Sequence, residues 1–290
     1  MRSSSRTLTE LRRGRPLLGT IVEIAAPDIV GVRDALERAF AAVAKVHALM
    51  SAHDGTSDLG RLHTAPLNSA VRVHPWTWRV LSAARRLHEI TGGTFDPIEA
   101  GRLALAQNRL PRWPGHKPST NAKWRDVQLL PGSRVLLRKR ARFDLGGIAK
   151  GFAVDRAVEA LRRARLPWAL VNAGGDLRAF GLRAWPIHVR HPGAPNLLVP
   201  VGALCDGAIA TSAPYFSQQS RRGHPASALF DFASGTSVVG AVSVSVLART
   251  CMVADALTKA VLLDGNARAL LACRARAWIC TAPAGLRHAA

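Results

Sequence analysis

Asp144-Leu145-Gly146-Gly147-Ile148-Ala149-Lys150-Gly151 reads as an acid at the end of a strand, a glycine turn, and a helix that starts at once. A helix opening directly after such a turn leaves its first backbone N–H groups without intrahelical partners, at the positive end of the helix dipole. That arrangement suits a phosphate, and Lys150 adds a full positive charge. A Gly-Gly pair ahead of a helix also serves as a plain structural turn, so the segment alone leaves both readings open. It is not a Walker A loop, because the glycine spacing is too short and neither Ser nor Thr follows Lys150.

Working outward from this turn, a helix begins near Ile148 with Phe152, Val158 and Leu161 on one side. Upstream, residues 126–143 read as a hairpin turning at Pro131-Gly132, and 109–123, rich in Pro, Gly, Trp and basic residues, as a long surface excursion. A helix over 76–90 is stopped by Gly92-Gly93, and a polar loop covers 51–61. Across Val32–Met50 the residues Val32, Leu36, Phe40, Val43, Val46 and Met50 recur at helical spacing, with Asp34 and Glu37 placed to favour the dipole. Before it, 17–24 alternates well enough for a first strand, with Gly19 where backbone approaches something closely, and Pro27 ends it. Downstream, short strands are expected at 169–172, 177–180, 187–190, 197–201 and 241–247. A helix over 252–263 follows, closed by Asp264-Gly265. Helices interleave with strands that cluster in hairpin-like runs, which predicts an α+β fold rather than a doubly wound sheet. Residues 1–16 are read as a flexible basic arm and 17–290 as a single domain, either one elaborated unit or two intimate α/β halves.

The 290 residues are 48% hydrophobic and 20% charged, enough apolar matter for a full core and unlike a disordered chain. The net charge of +21 raises nucleic acid or an anionic surface as partners. Its basic residues recur in short clusters, such as Arg12, Arg13, Arg15 and Arg138, Lys139, Arg140, Arg142. No zinc-finger, RNA-recognition or basic-zipper pattern accompanies them. A phosphate-bearing small ligand and a solvated arginine surface account for the charge better, so no nucleic-acid partner is expected. Cys205, Cys251, Cys273 and Cys280 form no C-x-x-C pair and have no His at zinc-ligand spacing, and are expected to be reduced. The first twenty residues hold no apolar signal-peptide stretch, and nowhere do eighteen apolar residues run together. A cytoplasmic protein with no integral membrane segment is expected.

Four more motifs accompany the glycine turn: Thr91-Gly-Gly-Thr-Phe-Asp-Pro97, Asn172-Ala-Gly-Gly-Asp-Leu177, Ala210-Thr-Ser212 and Ala254-Asp-Ala-Leu-Thr-Lys259. In this order they resemble the ApbE family of FAD:protein FMN transferases, from about Leu17 to Gly265. The 144–155 segment and Gly-Gly-Thr-Phe-Asp-Pro are the specific parts. The resemblance implies an ApbE-like, T-fold-related architecture of antiparallel or mixed sheets packed with helices. It implies FAD as substrate, Mg²⁺ as metal, and as partner an acceptor flavoprotein with a Ser or Thr flavinylation site. Residue by residue, it places Thr94, Phe95 and Asp96 against the flavin nucleotide and Asp144 and Lys150 at FAD-contacting positions. Leu18 stands where the family often has Met, and His53 where it often has Tyr; His53 reads equally as a loop histidine bonded to nearby backbone. Gly147 matches a residue whose carbonyl helps hold Mg²⁺, and Asp255 matches the metal-binding carboxylate.

Two positions depart from the family pattern. The place four residues after Asp255, where the family has a metal-binding Thr, is Lys259, with Thr258 one place earlier as a substitute ligand. Four residues on a helix share one face, so an ammonium there pairs with Asp255 and takes over part of the metal's charge, or forms a plain surface pair. The family's histidine ahead of an Asp-Pro-Arg-Thr-Gly turn falls at Ala228, in Ala228-Leu-Phe-Asp-Phe-Ala-Ser-Gly235, and His224 is the candidate replacement for proton removal. The expected catalytic residues are therefore Asp255, Lys259 and His224. The leading expectation is FMN transfer to a protein hydroxyl. FAD hydrolysis to FMN and AMP, or a non-catalytic FAD-binding protein, are the alternatives.

Overall fold

A computed structural model describes residues 8–214, 219–221, 224–226, 229–231, 236–282 and 285–289. The chain opens with β1 (Glu10–Leu17) and β2 (Thr20–Pro27), an antiparallel hairpin, followed by α1 (Val32–Met50). Then come α2 (Asp58–Thr64), β3 (Ala70–Arg72), α3 (Pro75–Ile90), α4 (Pro97–Ala106), β4 (Val127–Leu130), β5 (Arg134–Leu137) and α5 (Ala149–Arg163). Strands β6 (Trp168–Ala173), β7 (Asp176–Gly181), β8 (Trp185–His191), β9 (Ala194–Leu204) and β10 (Gly207–Ser212) follow. The short strands β11 (Gln219–Arg221), β12 (His224–Ala226), β13 (Phe230–Asp231) and β14 (Thr236–Ser237) come next. The chain closes with β15 (Val242–Ala248), α6 (Cys251–Asp264), α7 (Ala267–Ala272), β16 (Arg276–Thr281) and β17 (Gly285–Ala289). The fold is α+β, as expected.

An eight-stranded antiparallel sheet in the order β1-β2-β6-β7-β10-β15-β16-β17 is the backbone of the molecule. Helices α5 and α6 pack on it and on each other, and α1 packs on α5. The apolar stripe of α1 (Leu36, Phe40, Val43, Val46) and that of α5 (Phe152, Val158, Leu161) meet there in one continuous core with Val244, Val246 and Leu257. The β8–β9 pair contributes Trp185, Ile187 and Leu204 to a second, smaller core with Leu170, Ala179 and Ile209. A three-stranded sheet, β3-β5-β4, stands beside α2, α3 and α4 in the sequence between α1 and α5.

Four local readings change. Asp144 does not end a strand: β5 closes at Leu137, and the residues just before Asp144 are in no strand. The stretch from Glu10, read as part of a loose arm, is a strand paired along its whole length with β2. Its arginines point away from the core (Arg12, Arg13 and Arg15 are exposed), which hid it from a search for apolar alternation. Gly19 is not inside a strand: Leu18 and Gly19 form a two-residue hairpin turn, both at positive φ, 56° and 72°. The loop at 51–61 ends early, because Ser57 caps α2 by accepting from the Gly60 N–H at 2.9 Å.

Candidate functional site

The helix after the glycine turn is held against α6 at a point where neither can carry extra atoms. A Cβ on Gly151 would lie 2.3 Å from the Cys251 carbonyl oxygen and 2.9 Å from the Asp255 Cβ. Glycine here is therefore a packing requirement. Asp155, one turn further along α5, is buried and accepts from the N–H groups of Cys251 (2.9 Å) and Met252 (3.0 Å), capping α6 from outside its own chain segment. Burial raises the Asp155 pKa, against the pull of Arg178, which donates to it at 2.6 Å, and of those two N–H groups. Residues 144, 150 and 255 are thus placed by one helix pair.

Between α5 and α6 lies a buried network of four charges. Lys150 pairs with Asp176 and Lys259 with Asp255, and both carboxylates are almost wholly hidden from solvent. Asp255 accepts from the Lys259 ammonium through Oδ1 and from the Gly151 N–H through Oδ2 at 3.0 Å. Its backbone carbonyl accepts from Lys259 Nζ at 2.9 Å and from the Thr258 hydroxyl at 2.6 Å. Thr258 Oγ1 also lies 2.7 Å from Ser212 Oγ. Burial works against the Asp255 carboxylate, but Lys259 and Lys150 outweigh it and hold its pKa below the ordinary value. Asp176 has less help: burial, then the charge of Asp255, push its pKa up to about 6 despite Lys150. Burial likewise opposes the Lys150 ammonium, yet Asp255 and Asp176 hold its pKa above that of a free lysine.

A cavity of about 500 Å³ opens beside this network, of a size suited to a nucleotide-sized ligand. Leu18, His53, Thr94, Phe95, Asp96, Asp144 and Lys150, the seven residues expected to bind the cofactor, all border it, as do Gly147 and Lys259. Their side chains do different work. Asp144 Oδ1 accepts from the Gly146 N–H at 2.8 Å and fixes the turn. Asp96 caps α4 by accepting from Ile98 (2.8 Å) and Glu99 (3.2 Å), and its other oxygen lies 3.4 Å from His88 Nδ1, so it shapes the wall through the helix it starts. Burial raises the Asp96 pKa against these partners. The Thr94 hydroxyl donates to Asp264 at 2.9 Å, tying the Gly-Gly-Thr loop to the end of α6. At the turn itself, the N–H groups of Gly146, Ile148, Ala149 and Gly151 already have acceptors. Those of Gly147 and Lys150 take none among the described residues.

Asp255 and Thr258 do not border the cavity; they sit behind Lys259. The Mg²⁺ that the resemblance implies does not fit this donor set. Both Asp255 oxygens are engaged by N–H donors, and the two lysines already balance the two carboxylates. A hard divalent ion wants free oxygen ligands and surplus negative charge. Among the described residues no group of three His, Cys, Asp or Glu side chains is placed to hold a metal. His224 lies on β12, opposite Arg221, but its side chain is outside what is described, as are Ala228 and Gly235 altogether.

Sequence reasoning missed part of the wall. Val46, His47 and Met50 border the cavity from the last turns of α1, where helical spacing had assigned Val46 and Met50 to plain core. Arg109 and Leu110 come from the stretch read as a surface excursion, and Leu110 is buried. The signal for Asp176 was present as the acid after Gly174-Gly175.

A family model described as the ApbE family matches residues 18–279. Among curated proteins, the FAD:protein FMN transferase of Treponema pallidum (strain Nichols) is 27% identical, over 88% of this chain and 79% of its own length. That of Vibrio cholerae serotype O1 is 27% identical over 78% of this chain and 72% of its own. Among solved structures, the ApbE protein of Thermotoga maritima superposes with a TM-score of 0.84 at 26% identity, covering 97% of each chain. The flavin transferase ApbE of Vibrio cholerae shares the fold, with a TM-score of 0.80 at 22% identity over 97% of this chain and 96% of that one.

Proposed function

The chain belongs to the ApbE family, and from that membership and the site we propose that it is an FAD:protein FMN transferase. It splits the FAD pyrophosphate, joins FMN through a phosphoester to a Ser or Thr hydroxyl of an acceptor flavoprotein, and releases AMP. The observation that carries this reading is the cavity of about 500 Å³ bordered together by the 144–150 turn and by two lysines, Lys150 and Lys259. A dianionic pyrophosphate beside Lys150, Lys259 and the free N–H groups of Gly147 and Lys150 is bound and oriented at its bridging oxygen. Phe95, Met50 and Leu110 supply apolar surface of the kind an isoalloxazine ring needs.

The chemistry asks little of the protein beyond position and charge. A Ser or Thr hydroxyl is a poor nucleophile until it is held in line with the phosphorus, and the AMP oxygen leaves more readily when cations face it. Asp255 acts by aiming Lys259, since its carboxylate is fully buried and reaches no solvent. A cytoplasmic location belongs to the same reading and is tested by fractionating cells that express the tagged chain.

The decisive test is incubation of the purified chain with FAD and an acceptor flavoprotein domain carrying a Ser/Thr site. Intact mass of the acceptor and chromatography of the nucleotides are followed. A gain equal to FMN with stoichiometric AMP is expected. Free FMN plus AMP without acceptor modification assigns hydrolysis instead, and unchanged FAD assigns a binding protein.

A further inference from the structure

We propose that the Lys259 ammonium is a built-in cation of the transfer site, acting on the FAD pyrophosphate so that the reaction runs without a divalent metal. The inference rests on the FMN-transfer reading and concerns which cation serves it. Lys259 borders the cavity, with its side chain 19% exposed, whereas Asp255 behind it is 0% exposed. Two of the three ammonium hydrogens are committed to Asp255, one to Oδ1 and one to the backbone carbonyl at 2.9 Å. These two bonds hold the nitrogen against Asp255 and leave it one donor.

The surroundings are cut to this side chain. A Cβ on Gly147 would lie 3.3 Å from Lys259 Cε and 3.5 Å from Phe95 Cε2, so the glycine leaves just the room the lysine stem occupies. The two side chains otherwise suited to a metal are turned to other partners. The Asp255 Oδ2 takes the Gly151 N–H, and the Thr258 hydroxyl, wholly buried, donates to the Asp255 carbonyl and meets Ser212. The lysines and carboxylates of the network cancel in charge, so a divalent ion at Asp255 would enter against two ammonium groups with no free carboxylate of the network to receive it.

In the transfer step the acceptor hydroxyl oxygen forms a bond to the FMN-side phosphorus. The bond from that phosphorus to the bridging oxygen breaks, and AMP departs with the bonding pair. The hydroxyl proton is released to solvent or to the departing phosphate. The Lys259 N–H and its charge meet the negative charge that collects on the bridging oxygen, the role a metal otherwise fills.

The test uses FAD and an acceptor domain, with the wild type, Lys259→Thr and Lys259→Ala each assayed in EDTA and in MgCl₂. Equal wild-type transfer in the two conditions is expected. Lys259→Thr loses on the order of 100-fold in EDTA and recovers with Mg²⁺, because an oxygen ligand returns and Asp255 is freed, while Lys259→Ala recovers less. Wild-type transfer that is lost in EDTA and restored by Mg²⁺ overturns the proposal. Calorimetric titration of MgCl₂ into the FAD-bound proteins needs neither turnover nor a correct acceptor. No binding to the wild type and saturable binding to Lys259→Thr are expected, and Mg²⁺ bound by the wild type overturns the proposal. A wild type that transfers nothing under either condition defeats the FMN-transfer reading, and the titration still decides the part played by the lysine.

Discussion

At the scale of single residues, backbone strain and buried titratable groups mark the site's demands. Leu18 holds φ 56° in a hairpin turn that favours Asn or Gly, a conformation costing a leucine roughly 1 kcal/mol. Leu18 borders the cavity, so the strain falls on the wall of the proposed binding site. Leu18→Asn is expected to stabilise the protein by about 1 kcal/mol in urea unfolding while weakening FAD binding; unchanged affinity would remove Leu18 from the binding surface. His63 is a second case. It is buried with Phe143 N–H 2.9 Å from Nε2 and Arg142 3.0 Å from Nδ1, so a second proton on the ring has no acceptor. Burial, then the charge of Arg142, lower its pKa well below the ordinary value. For a base with a lowered folded pKa, the stability it contributes is present above the unfolded value near 6.5 and is lost as pH falls below it. Asp176 works in the opposite sense, since its raised pKa contributes stability at low pH that is lost as pH rises towards about 6. The difference between wild type and His63→Gln isolates the imidazole. Between pH 7 and 5 the wild type should lose stability faster than the variant, by up to about 1.4 kcal/mol per pH unit. Parallel curves would show that His63 does not titrate on unfolding.

Among elements, the contact of α5 with α6 does most to assemble the site. Asp155 caps α6, Gly151 lets the helices close, and Asp255 takes the Gly151 N–H in return. A methyl group at 151 would meet backbone, which cannot swing aside, so Gly151→Ala forces the helices apart. Overpacking of this kind costs about 1–3 kcal/mol. Because Lys150 and Lys259 sit on the two displaced helices, FAD affinity should fall together with stability, read by thermal melting and by FAD titration of the folded fraction. Gly92→Ala is the contrasting control: nothing lies within 4 Å of its would-be Cβ, and only its φ of 62° is strained. Helix α4 follows the same logic, since a Cβ on Gly101 would lie 2.2 Å from the Arg142 carbonyl oxygen, tying the helix that Asp96 starts to the segment after β5 that leads into Asp144.

For the molecule as a whole, the net charge of +21 and the two lysines that border the cavity favour an anionic ligand from a distance and on contact. FAD carries the pyrophosphate that FMN lacks, so FAD should raise the melting temperature more than FMN at equal concentration. At a hundredfold excess over Kd it should add about 2.7 kcal/mol of stability. Raising ionic strength should weaken FAD binding, because part of the attraction comes from exposed charges that salt screens. Equal shifts for the two flavins would count against a pyrophosphate subsite at the 144–150 turn. No helix of the described residues is long and apolar enough to cross a membrane.

Local chemistry determined what lay along the chain. Helical periodicity placed α1 over Val32–Met50, the acid-glycine-helix pattern located the turn at 144–151, and ordered motifs pointed to the family and to the residues around the cavity. These properties are carried by neighbours within a few residues, so they are legible without the fold. Tertiary structure decided everything that depended on distant segments. It alone made 10–17 a strand, since a solvent-facing arginine-rich stretch is ordered by hydrogen bonds to β2 rather than by apolar burial. It alone brought Arg109 and Leu110 to the cavity and set Asp176, 26 residues away, on Lys150. And it settled the state of Asp255. The spacing to Lys259 allowed either a plain surface pair or an ammonium that takes over part of a metal's charge, and only the packing of α6 beneath α5 removes water from the carboxylate and so excludes the surface pair.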